Sequence, residues 1–528
     1  MFSINKKIVE EEEIKTTFTI EPLEGIFDLP EIKDKTKFEI RYPLMEPYAY
    51  AHIFWDNSNH ELVYEVEEPD LNEDERKTLE FIEKNMEELI NISFIALKSS
   101  DVVIAYLEKN IRVLFNEFRI RISDESFMKI MYYVYRNFVG LNEIEPLMRD
   151  YYIEDIECNG SGYPLYIVHR KYRNLRTNIT FYDVSKLTGF VEKLAQKCGK
   201  YISYATPLLN GALPTGDRVN ATYTQDISSR GPSFTIRKFT KEPFSPIKVI
   251  ELRTVSPEIL AYLWILIEYE SNIMVIGGTG SGKTSFLNCL AFFIPPQARI
   301  VSIEDTKELM LAHENWLPTV AREGLGVMGS TGVRHGEITL FELLKESFRQ
   351  RPDYVIVGEV RGAEAYVLFQ GMASGHPSFG TMHAESVETM IRRLETKPID
   401  LSPSLVENLD AVVIMTQAKT LEKPIRKVKG VIEIIKVRQG VGSADVNTLF
   451  LWDPKNDKFY YKTNSKIFDK LVINHGVSRQ KLDLEFYRRT TLLMKMYIAG
   501  IINYREVQDV INAYYKTPER VLKKFNIK

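Results

Sequence analysis

The sequence predicts an α/β C-terminal domain with a largely parallel sheet, preceded by an α+β domain that carries a helical bundle. Three observations support this fold class. From about residue 257, apolar segments of strand length alternate with helical segments. Before that, β-prone runs surround one helix over about 141–240, and three helical patterns precede them. A chain of 528 residues is also too long for one core, so several domains are expected.

The composition is that of an ordinary folded protein, with 44% hydrophobic and 27% charged residues. A formal net charge of −4 gives no overall attraction to nucleic acid, which weighs modestly against a helicase. The three cysteines form no C-x-x-C pair, so we expect reduced thiols and no zinc. No apolar signal core follows the N-terminus, and the apolar run at 259–267 is too short to span a bilayer. We therefore expect a cytoplasmic protein that reaches a membrane only through a partner.

The order of the segments predicts six regions. We expect an irregular α+β segment with a loose first dozen residues, and then helices at 72–92, 101–118 and 124–139, the first with a capping box of Asn72 and Glu75. The proline-containing stretch 241–246 is the strongest linker signal. The expected regions are a variable N-terminal region (1–71), a helical bundle (72–140), an α+β domain (141–240), a linker (241–256), an α/β domain (257–477) and C-terminal helices (478–528).

The elements of the α/β domain follow from its periodicity. The expected strands are 272–277, 299–304, 353–358, 378–383 and 411–416, and the expected helices are 284–294, 341–350, 363–374 and 387–396. Residues 427–461 are expected to be antiparallel, with a hairpin turn at 453–457. The last region is helical and rich in basic residues and tyrosines.

A glycine-rich segment, Gly277–Thr284, fits G-x-x-x-x-G-K-[ST] and lies between an apolar strand and a helix that Pro295 stops. Its backbone amides are expected to surround phosphate oxygens, with Lys283 on the β- and γ-phosphates and the Thr284 hydroxyl on Mg²⁺. A chance Lys-Thr after an ordinary glycine turn accounts less well for these flanks. The expected nucleotide-binding residues are Gly278, Thr279, Gly280, Ser281, Gly282, Lys283, Thr284 and Ser285.

Hydrolysis also needs carboxylates near the metal, a water-orienting group and positive charge. Glu304 ends one strand, with Glu308 just beyond, although a polar turn cap is the simpler alternative. Glu359 ends a second strand as a Walker B element would, though with Glu in place of Asp, and Arg361 after it pairs with either a phosphate or a carboxylate. His383 ends a third strand, where it is either a γ-phosphate sensor or a structural histidine.

Three arginines precede the linker, outside the glycine-loop domain: Arg218, Arg230 and Arg237. Arginine in a separate module is how an arginine finger reaches a neighbour's nucleotide. Surface arginines are common, so spacing alone only suggests this role.

Together these segments resemble the secretion and type IV pilus traffic ATPases, most of all the archaeal branch of archaellum and pilus assembly motors. Four boxes match in order, and the Glu of the Walker B element is usual in this family. They are the Walker A segment (277–284), the aspartate box (303–309), the Walker B segment (349–361) and the histidine box (375–384). The N-terminal half is also similar, at 145–156, 213–220 and 235–239.

The resemblance implies a RecA-like ATPase domain and a homohexamer with ATP and Mg²⁺ bound between subunits. It implies a motor that drives a pilus-like filament or archaellum, or type II secretion, through a polytopic membrane platform protein. Glu304 would be the catalytic base, with Glu308 the second choice, and Glu359 would support the metal together with Thr284. His383 would sense phosphate.

The resemblance further implies that Arg218 and Arg237 act on the neighbouring subunit's nucleotide. Two positions depart from the family pattern. Thr215 stands where Asp is frequent, which puts the orientation of Arg218 in doubt. Gly362 replaces the Asp that usually follows the Walker B arginine, although glycine still suits a helix cap.

Two other classes of function compete with the motor. A DNA-transfer or translocase ATPase would share the same core, and the basic and aromatic residues at 488–489, 495 and 514–516 are its only support. A solvated helical face explains them equally well, and we expect no nucleic-acid partner. A scaffold that binds ATP without hydrolysis is disfavoured by the intact carboxylates and Lys283.

Overall fold

The computed structural model describes residues 17–21, 27–89, 100–239, 242–322, 324, 335–419, 424–438 and 442–527. The predicted loose first dozen residues, the last turn of the first predicted helix and Lys241 lie outside these ranges. The chain divides into two compact units, Met1–Phe239 and Thr240–Lys528. Among the described residues, no helix is both long and apolar enough to cross a bilayer.

The first unit contains a nine-stranded sheet in the order β1-β2-β3-β6-β5-β4-β9-β8-β7. Its strands are β1 (Glu39–Met45), β2 (Ala49–Asp56), β3 (Glu61–Glu67), β4 (Ile153–Cys158), β5 (Pro164–His169), β6 (Arg173–Thr180), β7 (Leu208–Ala212), β8 (Arg218–Thr222) and β9 (Ser233–Arg237). The expected α+β segment does contain strands, but over 39–67 it is regular rather than irregular. Those residues form three regular antiparallel strands, because alternating side chains such as Ala49, Ala51 and Ile53 are buried on one face.

The helices of the first unit confirm the predicted bundle in its described parts. They are α1 (Glu73–Leu89), α2 (Ser100–Phe118), α3 (Asp124–Val134), α4 (Glu145–Arg149) and α5 (Val184–Lys197). The predicted capping box of α1 is present: the Glu75 amide donates to Asn72 Oδ1 at 2.9 Å, and the Asn72 amide donates to Glu75 Oε2 at 2.8 Å. The third predicted helix ends in a π-helical turn, Tyr135–Val139.

The second unit contains another nine-stranded sheet, in the order β12-β11-β13-β14-β10-β15-β16-β17-β18. Strands β10–β15 are parallel to one another, and the pairings of β15 with β16, β16 with β17 and β17 with β18 are antiparallel. Their bounds are β10 (Ile273–Gly277), β11 (Ile300–Glu304), β12 (Trp316–Val320), β13 (Tyr354–Val357), β14 (Ser378–Met382), β15 (Ala411–Lys419), β16 (Pro424–Arg438), β17 (Ser443–Asp453) and β18 (Lys458–Tyr461).

The five strands predicted for this domain, and the hairpin turn at 453–457, are confirmed with small differences at their ends. Edge strand β12 was not predicted.

The helices are α6 (Pro246–Glu251), α7 (Pro257–Glu268), α8 (Lys283–Ala291), α9 (Leu340–Ser347), α10 (Glu364–Ala373), α11 (Val387–Glu395), α12 (Pro403–Val406), α13 (Lys466–His475), α14 (Arg479–Ile498), α15 (Tyr504–Lys516) and α16 (Pro518–Lys524). Helix α6 lies within the stretch predicted as a linker.

One side chain aligns the strands that carry the candidate site. Asn272 precedes β10, and its amide nitrogen donates to the Asn408 carbonyl at 2.9 Å while its amide oxygen accepts from the Ser378 amide at 2.9 Å. The Asn272 backbone amide also donates to Asp410 Oδ2 at 2.9 Å. Strands β14, β10 and β15 therefore start at one level. Because β10 and β14 are parallel and are each five residues long, the loops that follow these two strands meet at one edge.

The C-terminal helices pack against α7 and the end of α8. Trp264 stacks on Phe293 with ring centroids 5.1 Å apart, and Tyr515 donates to the Phe293 carbonyl at 2.6 Å. Arg489 is 3% exposed, pairs with Glu268 and lies over the Trp264 ring at 4.8 Å. Much of the basic and aromatic character of this region is therefore internal to the fold.

Candidate active site

The phosphate loop is shaped by close backbone packing after β10. A side chain at Gly277 would place its Cβ 2.5 Å from the Met415 carbonyl and 2.6 Å from Ser281 Oγ, so only glycine fits. Gly280 and Gly282 have φ of +70° and +89°, the left-handed region that glycine adopts without strain. Ser281 Oγ donates to the Gly278 carbonyl at 2.8 Å and closes the loop. The predicted loop is thus present and opens α8 at Lys283.

Lys283 is 7% exposed and lies across the loop. Its Nζ donates to the Gly278 carbonyl at 3.0 Å and lies 3.3 Å from His383 Nδ1. Burial lowers the pKa of Lys283, and the negative charge of Glu359 opposes that shift. A buried ammonium at this position is suited to stabilise phosphate charge.

His383 and Glu359 extend a polar chain away from Lys283. His383 Nε2 lies 3.2 Å from Glu359 Oε1, although outside hydrogen-bond geometry, and Arg361 donates to the other Glu359 oxygen. Burial and the charge of Lys283 lower the pKa of His383, which favours a neutral ring. We assign the acceptor nitrogen as Nδ1, because it faces the Lys283 ammonium.

Glu359 is the anionic member of this chain. Burial opposes its charge, but the hydrogen bond and charge of Arg361, with His383 and Lys283, outweigh burial and hold its pKa below the ordinary value. Arg361 Nη1 also lies 3.8 Å from Asp305 Oδ2. Of the two alternatives for Arg361, the structure places it in an ion pair with carboxylates.

Glu304 is a buried carboxyl group with one oxygen held and one free. It is 2% exposed, and its Oε1 accepts from the backbone amides of Glu308 and Leu309, both at 2.9 Å. Its Oε2 is buried and has no hydrogen-bond partner among the described residues. Burial raises its pKa to about 7, which suits a general base near neutral pH. Glu308, the second choice from the sequence, is exposed.

The residues around the loop fit a magnesium ion better than a protein-only metal site. Among the described ranges, no group of three or more His, Cys, Asp or Glu side chains could hold a metal. Thr284 is half-buried in the first turn of α8, and Glu359 Oε1 is buried without a hydrogen bond. One hydroxyl, one carboxylate reached through water and phosphate oxygens are the ligand set that Mg²⁺ accepts.

The two departures from the family pattern are accommodated locally. Thr215 Oγ1 donates to Asp217, whose other oxygen accepts from the Phe239 amide at 2.7 Å. Glu364 Oε1 accepts from the Gly362 amide at 2.7 Å, close to where an Asp at 362 would have placed its own carboxylate. The expectation that Gly362 caps the next helix is wrong, because Ala363 occupies the cap position.

Arg218 and Arg237 are brought together in the first unit. They face each other in register on β8 and β9. Arg237 Nε donates to Asp155 Oδ1 at 2.8 Å, and Arg218 Nε is buried without a hydrogen-bond partner among the described residues. The remaining predicted site residues, from the glycine loop to His383, belong to the second unit.

Arg426 on β16 contacts the phosphate loop and was not predicted from the sequence. Its Nε donates to the Gly280 carbonyl at 3.0 Å, although 146 residues separate the two. The basic run at 426–429 was the only available signal. Because the two residues are far apart in the sequence, the hydrophobic periodicity of either segment does not predict their contact.

We expect Arg426→Ala to weaken ADP binding about threefold to tenfold, since one charge-assisted but exposed hydrogen bond to the loop is lost. Isothermal titration calorimetry measures the affinity. Lys429→Ala, an exposed cation on the same strand, is the matched control and should bind like wild type. Equal affinities for all three proteins would remove Arg426 from the site.

These contacts define a P-loop ATPase site in an α/β domain. The family model of type II/IV secretion system proteins matches residues 159–438, more than half of the chain. The protein MJ0900 of Methanocaldococcus jannaschii is 36% identical over 406 residues, which cover 76% of this chain and 72% of that protein. The chain therefore belongs to the type II/IV secretion system protein family.

Another relative and a solved structure are similar to this chain at lower sequence identity. The type IV secretion system protein PtlH of Bordetella pertussis is 29% identical over 269 residues, covering 44% of this chain and 77% of that protein. Among solved structures, the VirB11 ATPase of the Brucella suis type IV secretion system is 23% identical, covers 55% of this chain and 92% of that chain, and has a TM-score of 0.28.

Proposed function

We propose that this chain is a cytoplasmic motor ATPase that assembles, or rotates, a type IV pilus-like filament or archaellum. It would act as a homohexamer on a polytopic membrane platform protein, or in a related type II secretion system. The proposal of ATP hydrolysis depends on one observation. Lys283 contacts His383, His383 contacts Glu359, and the buried carboxyl group of Glu304 belongs to the same domain. The four family boxes support the filament role.

In the proposed mechanism, Lys283 and His383 both contact the γ-phosphate of ATP. Mg²⁺, held by Thr284 and supported by Glu359, supplies charge neutralisation when bound. Glu304 Oε2 takes a proton from water as the water oxygen attacks the γ-phosphorus, and the bond from that phosphorus to the β–γ bridging oxygen breaks, so that ADP is the leaving group. Glu304 Oε1 stays fixed by two backbone amides. His383, neutral and linked to Lys283, senses whether the γ-phosphate is present.

Most of the basic and aromatic side chains that supported a DNA-transfer ATPase are engaged within the fold, although Lys516 is exposed. Arg489 and Tyr514 are buried, and Lys495 Nζ donates to the carbonyls of Phe525 at 2.6 Å and Asn526 at 2.8 Å. Arg488 lies 3.4 Å from Glu485. These side chains stabilise the C-terminal helices. DNA titration remains a direct check: we expect ATP turnover to be unchanged by single- or double-stranded DNA at low salt.

Arg218 and Arg237 are proposed to complete a neighbouring subunit's site. We expect mixtures of Arg237→Ala and Lys283→Ala chains to recover part of the ATP turnover that each variant lacks alone. At a mixed interface, an intact loop meets an intact arginine, so activity should peak at intermediate ratios. Turnover is measured against mixing ratio at constant total protein.

The control for this experiment replaces Arg237→Ala with Arg230→Ala, an arginine of the same unit that lies over the Tyr163 ring at 4.2 Å. This variant should be active alone and should give only the linear dilution expected for one inactive partner. A strictly linear or flat response with Arg237→Ala as well would exclude action in trans.

A further inference from the structure

A cleft of about 600 Å³ opens beside the phosphate loop, next to His383. One wall consists of the site already described, with Thr279, Glu359 and Arg361. The other wall is formed by the end of α11 and the turn after it, where Arg393 and Lys397 line the space. The cleft is much larger than one phosphate group needs.

The second wall has a fixed backbone. Helix α11 is held by its buried residues Met390, Ile391 and Leu394. The following turn is closed by hydrogen bonds from the Thr396 amide to the Arg392 carbonyl at 3.1 Å and from the Leu401 amide to the Leu394 carbonyl at 2.8 Å. Both ends of the turn are therefore anchored, which places the backbone of Arg393 and Lys397 at the rim of the cleft.

Positive charge exceeds negative charge in this lining. Arg361 is matched by Glu359 and Asp305, whereas the side chains of Arg393 and Lys397 make neither a hydrogen bond nor an ion pair within the described part of the chain. The charge of Arg393 also reaches His383, since it adds to burial and Lys283 in lowering the pKa of that ring. An anion that binds here would touch the γ-phosphate side of the site.

We propose that Arg393 and Lys397 form a second anion subsite, which holds inorganic phosphate after it leaves the γ-phosphate position and before it reaches solvent. The proposal rests on ATP hydrolysis at the phosphate loop. ADP remains bound to Lys283 and the loop amides after cleavage, so the phosphate leaves on the side of Glu359 and His383. The cleft is the opening on that side, and its two unmatched cations suit a doubly charged anion.

The test uses the full chain loaded with ADP and Mg²⁺, and inorganic phosphate as the probe. Phosphate binding is measured by ³¹P line broadening, and its inhibition constant is measured from ATP turnover. We expect Arg393→Gln/Lys397→Gln to weaken phosphate binding about tenfold while ADP affinity stays within about twofold of wild type. Arg392→Gln removes an exposed neighbouring charge outside the lining and should leave phosphate binding unchanged. Arg393→Lys should retain most of it.

Three results would overturn the proposal. The first is the absence of phosphate binding to ADP-loaded wild type, and the second is phosphate binding by the double variant as tight as that by wild type. A loss of affinity for a non-hydrolysable ATP analogue relative to ADP, with phosphate binding unchanged, would assign the two cations to the γ-phosphate of bound ATP. If wild type failed to bind ADP, the proposed ATPase function would fail as well. Thermal unfolding of each variant shows whether it is folded.

Discussion

Replacing Lys283 with alanine is expected to reduce ATP turnover about 10²–10³-fold or more. The Nζ atom is buried between the Gly278 carbonyl and His383, where a positive charge is stronger than it would be in water. Alanine removes that charge and leaves the phosphate without a partner on this side. Initial rates of phosphate release at saturating ATP measure the effect, and ADP affinity measures the accompanying loss of binding.

The matched control is Lys345→Ala, which removes an exposed lysine from α9 of the same domain. It should retain wild-type turnover and thermal stability. Turnover within twofold of wild type for Lys283→Ala would mean that the loop is not the site of hydrolysis.

The second large effect is expected for Glu304→Gln, which should lower turnover about 10²–10⁴-fold with little change in ATP affinity. Glutamine keeps an acceptor oxygen for the amides of Glu308 and Leu309 but cannot take a proton from water. Glu308→Gln is the comparison, since Glu308 is the other candidate base. A larger loss for Glu308→Gln than for Glu304→Gln would reverse the assignment.

The pH dependence gives an independent readout of Glu304. Its carboxyl group must be charged to act as a base, so wild-type turnover should fall as the pH drops below about 7. The contribution of this carboxyl group to the free energy of unfolding has the opposite pH dependence and decreases as the pH rises. Burial raises the pKa from 4.5 to about 7, so the stabilising contribution is complete below pH 4.5 and is lost as the pH rises through 7.

The uncharged glutamine lacks this pH-dependent loss of stability. Compared with wild type, Glu304→Gln should therefore gain thermal stability as the pH is raised from 5 to 8, by a few degrees in Tm. Differential scanning calorimetry at both pH values measures it. A constant difference in Tm across this range would show that the carboxyl group of folded wild type does not titrate between pH 5 and 8.

Much of the second unit could be predicted from the sequence because its information is local. A buried parallel strand is a short apolar run, and Glu304, Glu359 and His383 each follow one. The sequence predicts that these residues lie at the same edge of the sheet, but it does not predict the contacts among them. The role of Asn272 in aligning three strands, and the reach of Arg426 to Gly280, depend on pairings between distant segments.

Pairing between distant segments also explains why the regular strands of residues 39–67 could not be predicted. Residues 39–67 have the alternation of strands, but the pairing of β3 with β6 joins positions more than a hundred residues apart. Composition suggested an irregular region, whereas burial against the bundle helices and the rest of the sheet makes it regular. For the C-terminal helices, sequence could not distinguish a basic surface from arginine buried beside Glu268 and Trp264.

The contacts at the end of α8 have a mechanical consequence. Gln508 and Tyr515 on α15 are hydrogen-bonded to the carbonyls of Phe292 and Phe293, at 3.1 and 2.6 Å, immediately after the helix whose other end begins at Lys283. These bonds connect the C-terminal helices to the end of α8 opposite Lys283. The C-terminal helices and the phosphate loop are thus connected through a single helix, α8.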